Sequence, residues 1–175
     1  MFHPSRLTGC KNKQVRLSSA VLFVCLFAGL SEVEAATLSA SINPSPAVKG
    51  ATSHHSVRCD FTVATGDTFR LINLYQTVGS SDTLIAVLYN GDTPPEWDVG
   101  YSGPLRQRGA LGGLEGQGFL TLNINDTLCS DQGQSYKCEL KWSASGGSQV
   151  DIKTTAVTVE GAVCCLSILL EIPLA

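Results

Sequence analysis

Apolar and polar residues alternate with a period of two along most of this chain, and no segment longer than a turn or two carries helical spacing. Val57, Cys59, Phe61 and Val63 alternate with Arg58, Asp60 and Thr62, and Tyr136, Cys138, Leu140 and Trp142 alternate with Lys137, Glu139 and Lys141. Each run is the signature of a half-buried strand, and in each a cysteine lies on the apolar face. Leu120, Leu122 and Ile124 form a third such strand, with Thr121, Asn123 and Asn125 turned outward. Further strands are predicted at Leu38–Ile42, Phe69–Thr77, Leu84–Tyr89 and Val150–Val159. Turn signals punctuate them at Thr65-Gly66-Asp67, Gly79-Ser80-Ser81-Asp82, Asn90-Gly91-Asp92 and Ser145-Gly146-Gly147-Ser148. Seven or more short strands with such turns predict an all-β, antiparallel two-sheet sandwich. Asn43-Pro44-Ser45-Pro46 ends the first strand, which suits an edge because proline cannot donate to a ladder.

The N-terminus has a different pattern. Arg6, Lys11, Lys13 and Arg16 precede an apolar run from Ala20 to Leu30, and Val33-Glu34-Ala35 offers a cleavage site, so residues 1–35 are expected to be a secretory signal peptide. The run is about half the roughly 20 residues that a membrane-spanning helix needs. Removing it takes the net charge from −3 to −5, with eight basic and 13 acidic residues left. With the one Lys/Arg cluster gone, a nucleic-acid-binding surface is not expected. Secretion would place the remaining five cysteines in an oxidising compartment. It would also make Asn125-Asp126-Thr127 a usable N-glycosylation sequon, whereas Asn43 is followed by proline. The expected location is secreted or extracellular. Residues 36–161 form the expected domain and 162–175 an apolar tail. Val163–Leu170 is too short to span a bilayer, so the tail reads as the start of a longer anchor at the cell surface, a weak glycolipid-anchor signal or an artefact of a truncated gene prediction.

Cys59 and Cys138, each mid-strand and core-facing, would staple two sheets face to face if bridged. Tyr136 lies two residues before the second cysteine. On these features the chain resembles the immunoglobulin superfamily, closest to a variable-type domain, over roughly Thr37–Gly161. The resemblance implies an immunoglobulin-like Greek-key sandwich with a Cys59–Cys138 disulfide and a tyrosine corner at Tyr136, which would hydrogen-bond back across the turn into its strand. Asp131 through Cys138 is similar to the family's Asp-x-Gly-x-Tyr-x-Cys passage with one residue more, Gln134 and Ser135 standing where one is usual. The family's acidic residue there pairs with an arginine at the start of strand D, so Arg108, or failing it Arg106, is the expected partner of Asp131. An exposed pair of this kind is worth about 0–1 kcal/mol. The family's strand C tryptophan is missing: Arg70-Leu-Ile-Asn-Leu74-Tyr-Gln76 leaves Leu74 or Ile72 to fill that space, helped by Trp142. This aliphatic substitution, with an extra cysteine before the strand F motif, is similar to invertebrate immunoglobulin-type proteins such as molluscan fibrinogen-related lectins, although no fibrinogen-like module is present.

Signals for chemistry are few. Adjacent His54 and His55 point to opposite faces of a strand, so both cannot enter one site. Gly100-Tyr-Ser-Gly103 is followed by Pro104 and is no nucleophile elbow. Gly109–Gly118, rich in glycine, lacks a phosphate-loop lysine and is expected to be a flexible D-to-E connection. Trp97, beside two prolines, is either an exposed anchor or folded over a sheet edge. No CxxC or Cys/His spacing suits zinc. No cofactor, metal site or catalysis is expected. Cys129 shares one pole of the sandwich with the cysteines that follow the last strand, so a bridge to Cys164 or Cys165 is expected to clamp the tail. The remaining thiol would be free or would link a homodimer, and an unpaired Cys129 is the alternative. The expected function is non-catalytic recognition of a protein or surface glycan, through the loops Ala64–Thr68 and Ser143–Ser148 or the G-F-C face bearing Lys137, Glu139 and Lys141. The rival is a structural adhesion or matrix module, or a truncated receptor ectodomain.

Overall fold

The computed structural model describes residues 35–160, apart from Asp92 and the side chains of Ala51 and Thr52. The cleavage of the leader, the tail 162–175, and Cys164 and Cys165 are expectations that lie outside those residues.

The strands are β1 (Thr37–Asn43), β2 (Ala47–Val48), β3 (Gly50–Thr62), β4 (Thr68–Val78), β5 (Ser81–Tyr89), β6 (Glu96–Trp97), β7 (Gly109–Leu114), β8 (Phe119–Thr127), β9 (Ser135–Ala144), β10 (Gly147–Ala156) and β11 (Val159–Glu160). A single helical turn, α1 (Leu105–Arg108), leads into β7, and short 3-10 turns at Glu115–Gln117 and Cys129–Asp131 flank β8. One sheet has the order β1-β3-β8-β7 and the other β10-β9-β4-β5-β6, while β2 and β11 pair in parallel beside them. The proline-bearing break after β1 is what lets the chain leave the first sheet and meet β11.

Alternation sets the core. Val57, Cys59, Ile72, Leu74, Leu120, Leu122, Ile124, Cys138 and Leu140 are fully buried between the sheets, each stabilising the fold by about 1.5–3 kcal/mol if a large aliphatic. The Cys59–Cys138 disulfide joins β3 to β9 with Cα atoms 5.9 Å apart, across 79 residues. In the chain-entropy account, closing a loop of that length contributes about 4–5 kcal/mol. Leu74 stands opposite Cys138 in the β4–β9 register, and Ile72 opposite Leu140. Leu74 thus occupies the place of the missing tryptophan, and Trp142 packs against the same core from its partly buried position opposite Phe69.

Two expectations are corrected. Gly109–Leu114 is no flexible connection but β7, paired along its length with β8. Glycine hides the alternation there, and Gly113 lies so close to Phe119 that a Cβ would sit 2.6 Å from its carbonyl oxygen. Ser143–Ser148 is mostly strand as well, since Ala144 already pairs with Gly147 and only a two-residue turn remains. Trp97 folds inward opposite Ala86, stacked on Tyr101 with ring centroids 5.9 Å apart.

Candidate recognition surface

The two sheets turn different outer faces to solvent. Across the four-stranded sheet the outward rows read Ser41, Arg58, Thr121, Gly112 and Asn43, Ser56, Asn123, Ala110. Phe119 is the large aromatic on that face, and the Arg58 guanidinium covers its ring at 4.1 Å from the centroid. Asn125, the sequon asparagine, is exposed on the same face, opposite His54.

Across the five-stranded sheet the rows read Val150, Lys141, Leu71, Tyr89 and Ile152, Glu139, Asn73, Val87. Val150, Ile152 and Tyr89 are 53%, 47% and 47% exposed. Between them lies a fixed polar centre. Asn73 donates from Nδ2 to Glu139 Oε1 (2.9 Å), the Tyr75 hydroxyl donates to the same oxygen (3.2 Å), and Lys141 Nζ lies 2.8 Å from it. One row further, Lys137 pairs with Asp82, sits 4.2 Å from the Tyr75 ring centroid, and Asp82 in turn accepts from Thr77. Partial burial alone would raise the Glu139 pKa, but the hydrogen bonds from Lys141 and Asn73 outweigh it and hold the carboxyl below its ordinary value. Burial and the Glu139 charge push the Tyr75 phenol up. The Lys137 hydrogen bond lowers Asp82, and Glu139 raises Lys141. All these groups stay in their ordinary charge states at neutral pH, so the surface offers a preordered ionic centre between apolar flanks.

The other sequence-predicted residues meet at the far pole. Asp131 is fully buried and accepts a two-pronged bond from Arg108, with Nη1 to Oδ2 at 2.9 Å and Nη2 to Oδ1, plus the Leu128 backbone N–H at 2.9 Å. The expected exposed pair is therefore a buried one, because the 3-10 turn carries Asp131 under the sheet edge while α1 aims Arg108 at it. Arg106 instead bonds the Tyr101 carbonyl. Burial would raise the Asp131 pKa, but the Arg108 and Leu128 hydrogen bonds hold it below the usual carboxylate value. Tyr136 is buried, and its hydroxyl donates to the Gln134 side chain at 3.1 Å rather than to backbone. The extra residue in this passage puts Gln134 where it can accept. Burial drives the Tyr136 phenol far upward. Cys129 is disulfide-bonded, and the other two described cysteines are bonded to each other. His55, fully buried, has no counterpart among the sequence-predicted sites. Its one visible signal was its inward parity. Among the described residues no cluster of His, Cys, Asp and Glu could hold a metal ion.

No protein-family model matches the chain, and no curated protein is similar to it in sequence. In three dimensions it is similar to a solved structure of murine CRIg, at a TM-score of 0.54 and 19% identity, over 72% of this chain and 98% of that one. The fold is immunoglobulin-like. The four-stranded sheet then corresponds to strands A, B, E and D, and the five-stranded sheet carries G, F and C with two further strands, β5 and β6, beyond C.

Proposed function

We propose that this chain is a secreted, non-catalytic recognition module that binds a protein partner through the outer face of its five-stranded sheet. The contrast between the two outer faces carries the reading. One is polar and bears the sequon, while the other flanks a fixed ionic centre with exposed Val150, Ile152 and Tyr89. Apolar flanks supply the desolvated area of an interface, and preordered Lys141 and Glu139 supply orientation at little further entropic cost. The strands β5 and β6 beyond β4 favour the variable-type description, in which C′ and C″ extend this sheet. The disulfide favours an oxidising compartment. The immunoglobulin-like fold leaves the choice of partner open, because fold does not fix function.

The test is capture by the immobilised domain, from host extracts and from intact microbial surfaces. Retention of a protein ligand that falls at least about tenfold for Val150→Asp/Ile152→Asp, with unfolding unchanged, supports the proposal. Retention that ignores these changes overturns it. Retention abolished by competing free sugars points to a glycan instead. A thiol-linked dimer with no captured ligand favours the structural rival.

A further inference from the structure

At the pole opposite Asp131 an open cleft of about 670 Å³ lies between the β3–β4 connection, the residues after β5 and the 3-10 turn before β8. Phe61 and Phe69, stacked with centroids 4.8 Å apart, are 5% and 6% exposed and form its floor. Its walls include Thr62, Asp67, Asn90 and Glu115. The Gly91 N–H donates to Glu115 Oε2 at 2.6 Å and ties two of the three segments together. Gly118, at φ 66°, lets the third come close: its carbonyl accepts from the Phe61 N–H at 2.8 Å, and a Cβ on it would sit 2.4 Å from the Phe61 oxygen. The cleft is thus held by one backbone bond, Phe61 to Gly118, and by the Glu115 carboxylate on the Gly91 N–H.

Its charge is one-sided. Among the described residues two carboxylates, Asp67 and Glu115, line it, and no lysine, arginine or histidine does. Glu115 is engaged with Gly91, whereas the Asp67 carboxylate makes no hydrogen bond or ion pair among the described residues. An aromatic floor beneath an uncompensated carboxylate fits one kind of group. We propose that the cleft binds a single lysine or arginine side chain presented by a protein partner, its aliphatic stem against Phe61 and Phe69 and its cationic head at Asp67. The stem gains apolar contact at the mouth of the floor, while the head gains the Asp67 charge. This goes beyond the sheet-face reading and stands or falls separately, since no residue is shared.

The test uses the full secreted chain, isotopically labelled, titrated with acetyl-Gly-Arg-Gly-amide and with its citrulline counterpart, which keeps the shape and loses the charge. Saturable amide shifts confined to Thr62, Asp67, Gly91, Gly116 and Gly118 are expected with the arginine peptide. Affinity should drop at least about fivefold for citrulline and for Asp67→Asn, and stay unchanged for Val150→Asp/Ile152→Asp. Equal binding of both peptides, shifts scattered over the acidic surface, or full binding by Asp67→Asn overturns the proposal. The citrulline comparison on the unaltered chain decides even if Asp67→Asn misfolds.

Discussion

His55 and Thr127, 72 residues apart, meet in a fully buried hydrogen bond of 2.8 Å between Nδ1 and Oγ1. The other ring nitrogen, Nε2, is buried without a partner among the described residues. Burial is the largest influence on the imidazole and lowers its pKa below 6.5; the Asp131 charge opposes this, while Arg108 and His54 reinforce it. The folded state therefore holds His55 neutral, whereas the unfolded chain takes up a proton near 6.5. A lowered histidine pKa gives stability that is complete above the unfolded value and lost as pH falls below it, by up to about 1.4 kcal/mol per unit. Urea midpoints measured from about pH 8 to pH 5 should fall below pH 6.5 in the natural protein. His55→Gln should be less stable throughout but flatter in that window. Equal slopes for the two would show that another group titrates.

The Arg108–Asp131 pair gives the second prediction. Asp131 is wholly buried and the Arg108 side chain is 16% exposed, so removing one partner strands a charge. Arg108→Leu should cost about 3–5 kcal/mol in denaturant unfolding, and Arg108→Leu/Asp131→Leu should regain much of that. Arg108→Lys should fall between, because an ammonium cannot make the two-pronged bond. Since the folded Asp131 pKa is lowered, its contribution persists at neutral pH and is lost only as acid drives it through the carboxylate range, well below the histidine window. A single mutant as stable as the natural protein would mean that the pair is idle.

Alternation made the frame of the fold legible in the sequence. Val57–Val63, Leu120–Ile124 and Tyr136–Trp142 each show their buried face in the chain itself, and the two cysteines on those faces are bonded. Gly109–Leu114 was not legible, because glycine has no side chain with which to alternate and its pairing is decided by β8. The burial of Asp131 was hidden for a related reason: it depends on where α1 brings Arg108, a contact across 23 residues. The arginine peptide cleft draws on residues 61–69, 90–91 and 115–118, which no local pattern connects. The apolar flanks of the recognition face were half visible, since Val150 and Ile152 stand out in sequence but their neighbours Lys141 and Glu139 follow only from register.

Leu74 fills the space that a tryptophan takes in similar domains, and the core around it is closed to solvent. Ile72, Leu74, Leu140 and the disulfide are all fully buried. Leu74→Ala should therefore destabilise by about 2–5 kcal/mol through the cavity it leaves. Leu74→Trp should also destabilise, by about 1–3 kcal/mol, because Leu74 is already fully buried among Ile72, Leu140 and the disulfide and the larger ring would overpack the site. Thermal unfolding of both variants checks this; a stabilised Leu74→Trp would reveal unfilled space beside the disulfide.

The second disulfide is open to direct mapping. The 129–134 segment is tied to the chain beyond β10: Gly133 N–H donates to Val157 O, Val157 N–H to Gln134 O, and Val159 N–H to Gln132 Oε1 at 2.6 Å. Cys164, five residues past Val159, can then reach Cys129. Non-reducing peptide mapping of the chain, produced through a secretory host, should give Cys59–Cys138 and a second bridge from Cys129 to Cys164, or to its neighbour Cys165. A bridge from Cys129 to a second chain would favour the structural rival instead.

Asn125 tests the division between the two faces. It is exposed on the polar sheet, yet two residues on the Thr127 hydroxyl is locked to His55. A sequon is read through its third residue, so attachment must precede closure of β3 onto β8. The chain produced in a glycosylating secretory host should migrate more slowly, and endoglycosidase or Asn125→Gln should abolish the difference. Unmodified folded protein offered to the transferase should stay unmodified, whereas its denatured, reduced form should accept a glycan. Because the glycan would stand on the face away from Val150 and Ile152, capture of the partner should be the same with and without it. Loss of capture on glycosylation would place the partner on the polar sheet.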